Sequence, residues 1–424
     1  MTSGVLAPAL PAPRERERLT GIDAARGFAL LGILIVNVEF FALPLGEAFG
    51  TSAPDKGLAL LLWWIEKTLC EGKFYPLFSL LFGIGLVLQR DSVESSGARF
   101  VPLYLRRLAV LAAIGLGHAL LLWYGDILFF YSVAGLLLLL AVELGRRFLL
   151  PLGLACWALA ILAGTALAPF QFDQLTEPPE WREVELEGEP LAALLETGIY
   201  GGPQDPTWMA AEVRLYREGP WLGALAVRGM SWGMFALAML FGGGFQILAC
   251  FLLGAALLDR GVFRSDGRPL RLALLRAGAF VALPLAAIST ASLAWGEGAA
   301  SAMIWQGALL ASGPLLAGGF LAGWSLLAES GGARMLVSAL ASSGRMALTN
   351  YLCQTLVMTS LFYHWGLGWF GTVARADRVG LALLLFVAQV LLSVAWMRRF
   401  RFGPAEWLWR SLTYGRPQPW SRRA

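Results

Sequence analysis

The chain has only two histidines and four cysteines, and charged side chains make up just 15% of its 424 residues. Cys70, Cys156, Cys250 and Cys353 stand far apart in or beside apolar runs, a pattern that excludes a disulfide framework and a zinc site of closely spaced ligands. No metal motif occurs, so no metal is expected. No glycine cluster sits in the strand–helix setting of a nucleotide-binding loop, and no serine-hydrolase elbow is expected either. A cleaved signal peptide is not expected: Pro8, Pro11 and Pro13 precede a charged RERER run, and the apolar stretch after it is too long for an h-region. The net charge is only +4, and the basic residues fall in short loops between apolar runs. That spacing marks membrane flanks and excludes a nucleic-acid patch.

What the chain has instead is apolar length. Hydrophobic residues make up 57%, and the mean hydropathy is +0.64, far above an ordinary soluble domain. Segments near 24–44, 73–90, 106–124, 126–144, 148–169, 233–258, 271–294, 299–327, 336–362 and 378–397 have spanning length. They predict an all-α integral membrane protein of about ten transmembrane helices forming one polytopic domain. Arginines fall in every second connection, for example Arg106 with Arg107, Arg146 with Arg147, and Arg398 with Arg399. Both termini are therefore expected in the cytoplasm, as an arm over 1–20 and a basic tail over 398–424. The connection over 171–220 holds eleven acids against three arginines and is expected outside, as either a lid or an excursion broken by prolines. Residues 58–70 predict an amphipathic interfacial helix with Trp63 and Trp64 at headgroup level.

Polar residues inside spans are costly, so they direct attention to function. His118 lies eleven residues beyond Arg107, roughly 16 Å along a helix. Neutral imidazole can serve as base or nucleophile, or it can tie helices together by hydrogen bonding. Asp126 follows Gly125 in a tight turn, where it can cap the next helix and orient His118. Trp123 and Tyr124 predict an interfacial collar, and His364 an aromatic-belt position. Asp23 and Arg26 share a helix face and can pair, or Arg26 can meet an anion. Asn37 returns near the same face farther along, which would place polar groups at both ends of a channel. Ser342, Ser343 and Gly344 predict a serine-capped helix start beside Arg345, suited to phosphate. Thr349, Asn350, Tyr351 and Gln354 follow on that helix, facing the bundle interior either for substrate or for interhelical bonding. Ser79 and Gly83 are spaced for close helix contact, and Gly242 to Gly244 predict an unwound or tightly packed turn.

These stretches together resemble the YeiB-like family of bacterial membrane proteins. The resemblance rests on Arg18, Asp23, Arg26-Gly27-Phe28 and Asn37, then Phe78, Leu81-Phe82-Gly83 and Gly85. It continues through Arg106-Arg107-Leu108, Gly115, His118, Trp123 and Gly125-Asp126-Ile127-Leu128, then Gly344 to Tyr351, and ends in the tail from Gly403 to Gly415. Ala405 stands where the familiar tail has leucine. The family is distantly similar to transmembrane acyltransferases such as heparan-alpha-glucosaminide N-acetyltransferase. The resemblance implies acyl-CoA as a cytosolic donor and a small-molecule, glycan or lipid acceptor at the outer face of the bacterial inner membrane. His118 and Asp126 would then be catalytic, and Arg26 with Arg345 would neutralise phosphates. A transporter or lipid-handling protein using the same residues without covalent chemistry is the alternative. Membrane lipids are expected partners, and a homo-oligomer is compatible with the sequence.

Overall fold

Within lipid a backbone satisfies its own polar groups as helix or closed barrel, and this sequence forms helices. The computed structural model describes residues 13–50, 53, 54, 56–170 and 180–422. Most of the N-terminal arm and residues 171–179 of the acidic connection lie outside them. Among the described residues there is no sheet, only one antiparallel bridge between Phe400 and Ser421.

The helices run in order as α1 (Pro13–Ala42), α2 (Leu45–Phe49), α3 (Gly57–Ile65), α4 (Phe74–Ser95), α5 (Phe100–Leu121) and α6 (Leu128–Leu144). Next come α7 (Leu149–Leu167), α8 (Pro190–Tyr200), α9 (Pro206–Glu218), α10 (Trp221–Ala238), α11 (Gly244–Asp259) and α12 (Arg268–Ala277). The chain closes with α13 (Leu283–Trp295), α14 (Gly298–Ser330), α15 (Arg334–Arg345), α16 (Ala347–Phe362), α17 (Arg375–Arg399) and α18 (Pro404–Tyr414). Among the described residues seven helical stretches are long and apolar enough to cross a membrane, and α6 and α11 are shorter apolar helices. The protein is an all-helical membrane protein.

Its long helices are punctuated where the sequence gives reason. The glycines at 242–244 fall at a π-helical turn, Met239–Gly243, that joins α10 to α11. Ser342 and Ser343 end α15 instead of starting a helix, and the break comes at Met346. Residues 58–70 are helical as α3 plus a π turn, but Trp63 is fully buried and does not sit among headgroups.

α1 is the central post, packed by α4, α14, α15, α16 and α17. Its small residues explain this: Ala24, Ala25 and Ala29 are fully buried. A β-carbon at Gly27 would collide with the Leu340 carbonyl, and one at Gly344 with the Asp23 carbonyl. Only glycine at both positions lets α1 and α15 approach backbone to backbone.

From residue 180 onward the acidic connection folds over one end of the bundle. Pro206 opens α9 at its first position, and Asp205 caps it by accepting from the backbone N–H of Thr207 at 2.7 Å. The helix then buries Trp208, Met209, Leu215 and Tyr216 in the core that also holds Phe41, Phe362 and Tyr363. Trp123 and Tyr124 belong to the same core at 2% and 3% exposure. They are therefore not an interfacial collar: the folded connection covers them. At this end Arg378 grips Glu39 through two bonds of 3.1 and 2.7 Å, and Arg375 bridges Glu39 and Glu66 at 3.4 and 2.6 Å.

Candidate functional site

At the opposite, arginine-rich end a cavity of about 540 Å³ opens between α1, α4, α5, α6, the α15–α16 break and α18. Its mouth carries Arg26, Arg107, Arg345 and Arg410, while Leu30, Phe78, Phe82, Leu111 and Leu128 make its walls apolar. Tyr131 and Tyr351 also line it. The four guanidiniums are held by different means. Arg26 pairs with Asp23 at 2.8 Å, as their i,i+3 spacing implies. Arg107 lies over the Trp409 ring at 3.9 Å, while the Trp409 indole N–H donates to the Arg107 carbonyl at 3.0 Å. Arg410 rests 4.6 Å from the Phe402 ring. Arg345 donates a long bond of 3.4 Å to Ser342 Oγ. Among the described residues Arg107, Arg345 and Arg410 form no ion pair, so three cations face the space with their charge uncompensated by a direct partner.

The helix start that suits phosphate is already filled. Glu406 of α18 accepts from the backbone N–H groups of Leu348 and Thr349 at 2.6 and 3.1 Å and from the Thr349 hydroxyl at 2.6 Å. This carboxylate meets the N-terminal dipole of α16 from within the chain. Burial pushes the Glu406 carboxyl above the usual range, while the bonds from Thr349 and Leu348 act against that push. Thr349 is therefore a capping partner and not part of the cavity wall.

Asn350 and Gln354 also turn elsewhere. The Asn350 side chain donates to Ser343 and Ser393, and Gln354 donates to Gln389 Oε1 at 3.0 Å. Both serve packing against α17, the interhelical reading of their spacing. Asn37 is half-buried and lies outside the wall of this cavity, which meets α1 at Arg26, Leu30 and Ile33.

Beyond the inner wall lies a buried polar line. His118 Nδ1–H donates to Asp126 Oδ2 at 2.9 Å, and His118 Nε2 lies 2.8 Å from Thr355 Oγ1. Asp126 is fully buried and His118 is 3% exposed. Asp126 Oδ1 meanwhile accepts from Phe129 N–H at 2.9 Å, so one carboxylate both caps α6 and orients the imidazole. Gly115 makes room for this: a β-carbon there would sit 2.7 Å from Asp126 Oδ1 and 2.5 Å from the Phe129 nitrogen. Tyr351 separates this line from the cavity. Its ring centroid is 5.1 Å from the imidazole, and its hydroxyl donates to the Gly125 carbonyl at 3.3 Å.

The structure thus brings Arg26, Arg345 and Tyr351 to one cavity, sets Asp23 at its mouth, and places His118 with Asp126 behind its wall. Sequence reasoning missed Arg107, Arg410 and Thr355 as members of this site. The arginine pair at 106–107 gave a signal as a membrane flank, but Arg410 arrives from a tail helix and Thr355 from a distant span. The letters Gly229-Met230-Ser231-Trp232-Gly233 match a serine-hydrolase elbow, yet they run inside α10 with Ser231 fully buried. They lack the strand-to-helix turn that the elbow requires. His364 sits in the turn after α16, its backbone N–H donating to the Tyr216 carbonyl at 2.6 Å.

Comparison with known proteins gives the lineage. The family model DUF418, described as a protein of unknown function, matches residues 257–416. The uncharacterized protein YxaH of Bacillus subtilis is 33% identical over 96% of this chain and 97% of its own length. The uncharacterized protein YeiB of Escherichia coli is 32% identical over 94% of this chain and 96% of its own. An uncharacterized 39.9 kDa protein of Bacillus acidopullulyticus is 26% identical over 95% and 96%. At such identity over nearly the full length, with the cavity's tail helix inside the family match, the chain belongs to the YeiB-like DUF418 family.

Proposed function

We propose that this protein is an acyltransferase of the bacterial inner membrane that takes an acyl group from cytosolic acyl-CoA and delivers it to an acceptor at the other face. One observation carries the reading: a single cavity joins four arginines to an apolar chamber whose inner wall, Tyr351, lies with its ring 5.1 Å from that of His118. Arginines suit the phosphates of such a donor because each guanidinium offers several donors in a fixed fork. The apolar chamber suits the acyl chain, whose burial gains roughly 0.8 kcal/mol per methylene. His118, oriented by Asp126, supplies the proton-transfer group. The arginine-rich end faces the cytosol in this reading, by the excess of basic residues in its connections.

The test is to incubate purified protein with labelled acyl-CoAs and candidate hydroxyl or amine acceptors, and to compare His118→Ala. Transfer by wild type and its loss in the variant is expected. Equal transfer by the variant would remove His118 from the mechanism.

A second reading, movement or storage of a phosphorylated amphiphile without covalent chemistry, draws on a different observation. Both imidazole nitrogens are bonded to protein groups, and the ring is absent from the cavity wall. Counterflow of such a molecule in proteoliposomes, with no thioester cleavage, would favour it.

A further inference from the structure

We propose that Thr355 is the nucleophile of this site and carries the acyl group as an ester on Oγ1 between donor and acceptor. The inference rests on the acyl-transfer reading and supplies what that reading lacks, a group for His118 to activate.

Three observations lead to Thr355. Asp126 Oδ2, the His118 ring and Thr355 Oγ1 are joined by hydrogen bonds of 2.9 and 2.8 Å. Carboxylate, imidazole and hydroxyl in that order convert a weak hydroxyl nucleophile into an effective one. The carboxylate fixes the tautomer: it can only accept, so Nδ1 carries the proton and Nε2 is left to accept from Thr355. The helix itself also marks this hydroxyl as different. A threonine inside a helix ordinarily returns its proton to the carbonyl four residues back, as Thr359 does to Thr355 at 2.8 Å. From Thr355 to the Tyr351 carbonyl the corresponding bond is long, 3.5 Å, against 2.8 Å to the imidazole, so the ring nitrogen is the nearer acceptor for this hydroxyl. Finally, one helical turn separates Thr355 from Tyr351, the residue that lines the cavity. The Tyr351 ring stands between the cavity and the imidazole, so it is the group that must swing aside for a bound thioester to reach Thr355.

The chemistry balances with the groups at hand. His118 Nε2 takes the Thr355 hydroxyl proton as Oγ1 bonds to the thioester carbonyl carbon. The C–S bond breaks, and the departing thiolate takes the proton from Nε2 and leaves as the thiol. In the second half an acceptor hydroxyl or amine gives its proton to Nε2 and attacks the ester carbon. The Oγ1–C bond breaks and Thr355 regains its proton from Nε2. Asp126 stabilises the imidazolium in both halves.

Two probes separate this proposal from the reading beneath it. With p-nitrophenyl acetate, which needs no phosphate site, full-length protein in detergent should give a stoichiometric burst of nitrophenolate and an acetyl adduct on the peptide containing Thr355. Thr355→Val, which keeps the shape, should lose both, and Thr355→Ser should keep both. With acetyl-CoA, thiol release should follow the same order across the variants. An adduct on His118, no adduct on the wild-type protein, or thiol release by Thr355→Val at the wild-type rate overturns the nucleophile. A burst on Thr355 without thiol release from acetyl-CoA or longer acyl-CoAs keeps the nucleophile and overturns the acyl-CoA reading.

Discussion

At the capped end of the bundle Glu39, Glu66, Arg375 and Arg378 close on one another, two carboxylates against two guanidiniums, with contacts from 2.6 to 3.4 Å. At the other end Arg26, Arg107, Arg345 and Arg410 surround open space, and the carboxylates nearest them, Asp23 and Glu406, are already engaged. Both regions keep charge in an apolar protein, at a desolvation cost that must be offset. In the first the offset is internal, which identifies a clasp between α1, the π turn after α3, and α17. In the second it is incomplete, and that difference makes the arginine end the place to look for an anionic ligand. A test of the distinction is whether removing a charge from each region damages the fold or the binding.

The largest effect should come from the clasp. Arg378→Ala strands the buried Glu39, 3% exposed, with only the longer contact to Arg375. Breaking a buried pair from one side typically costs about 3–5 kcal/mol. We expect a matching fall in thermal stability in detergent, with most of it recovered in the double variant Glu39→Gln, Arg378→Gln. If Arg378→Ala melts like wild type, the clasp is not structural. Glu212 sharpens the same point, because it is a fully buried carboxylate at the capped end that forms no ion pair among the described residues. Burial pushes its carboxyl up to about 8, and the bond from Leu45 N–H at 3.0 Å offsets only part of that push. The folded state therefore holds a proton that the unfolded chain, with a carboxyl near 4.5, releases first. Stability should fall as pH rises from about 4.5 to about 8. Glu212→Gln should flatten that slope and stabilise the protein at pH 8 by up to about 4 kcal/mol, less if the cap loosens first. A variant whose melting temperature follows pH as wild type does would exclude Glu212 as the cause.

At the arginine end the expected order is reversed. Arg345 is exposed and held by one long bond, so Arg345→Ala should leave the melting temperature nearly unchanged. It should weaken binding of coenzyme A, measured by calorimetry, by roughly 10- to 100-fold, the worth of a charge-assisted bond. Loss of stability without loss of binding would place Arg345 with the clasp residues instead.

How legible these regions were in the sequence follows the range of their interactions. The apolar segments, the Asp23–Arg26 pair and the dual role of Asp126 could be read because each depends on neighbours a few residues away. The polar stripe of Asn350 and Gln354 announced burial but not direction, since spacing on one helix cannot say which neighbouring helix receives it. Asn350 and Gln354 meet α17, while Tyr351 between them meets the cavity. The clasp joins positions more than three hundred residues apart, Glu39 with Arg378. The Glu406 cap likewise reaches across 58 residues to Leu348. No local pattern marks either partner.

That cap gives the smallest and most discriminating test, because it belongs to both regions' logic at once. Glu406 is a structural anion placed at a helix start, yet it also lines the cavity and sits near Arg410. Glu406→Gln keeps an oxygen that can accept from Leu348 or Thr349 but removes the charge. The loss of favourable charge with the α16 dipole should cost about 1 kcal/mol of stability. The same change frees the arginines and the helix start from a competing carboxylate, so coenzyme A should bind a few-fold more tightly. Opposite signs are the point of the test: a structural residue unrelated to the cavity would lower stability and leave affinity alone. A substrate-binding residue would lower affinity. Only an internal anion standing where a ligand's phosphate would otherwise stand lowers one while raising the other.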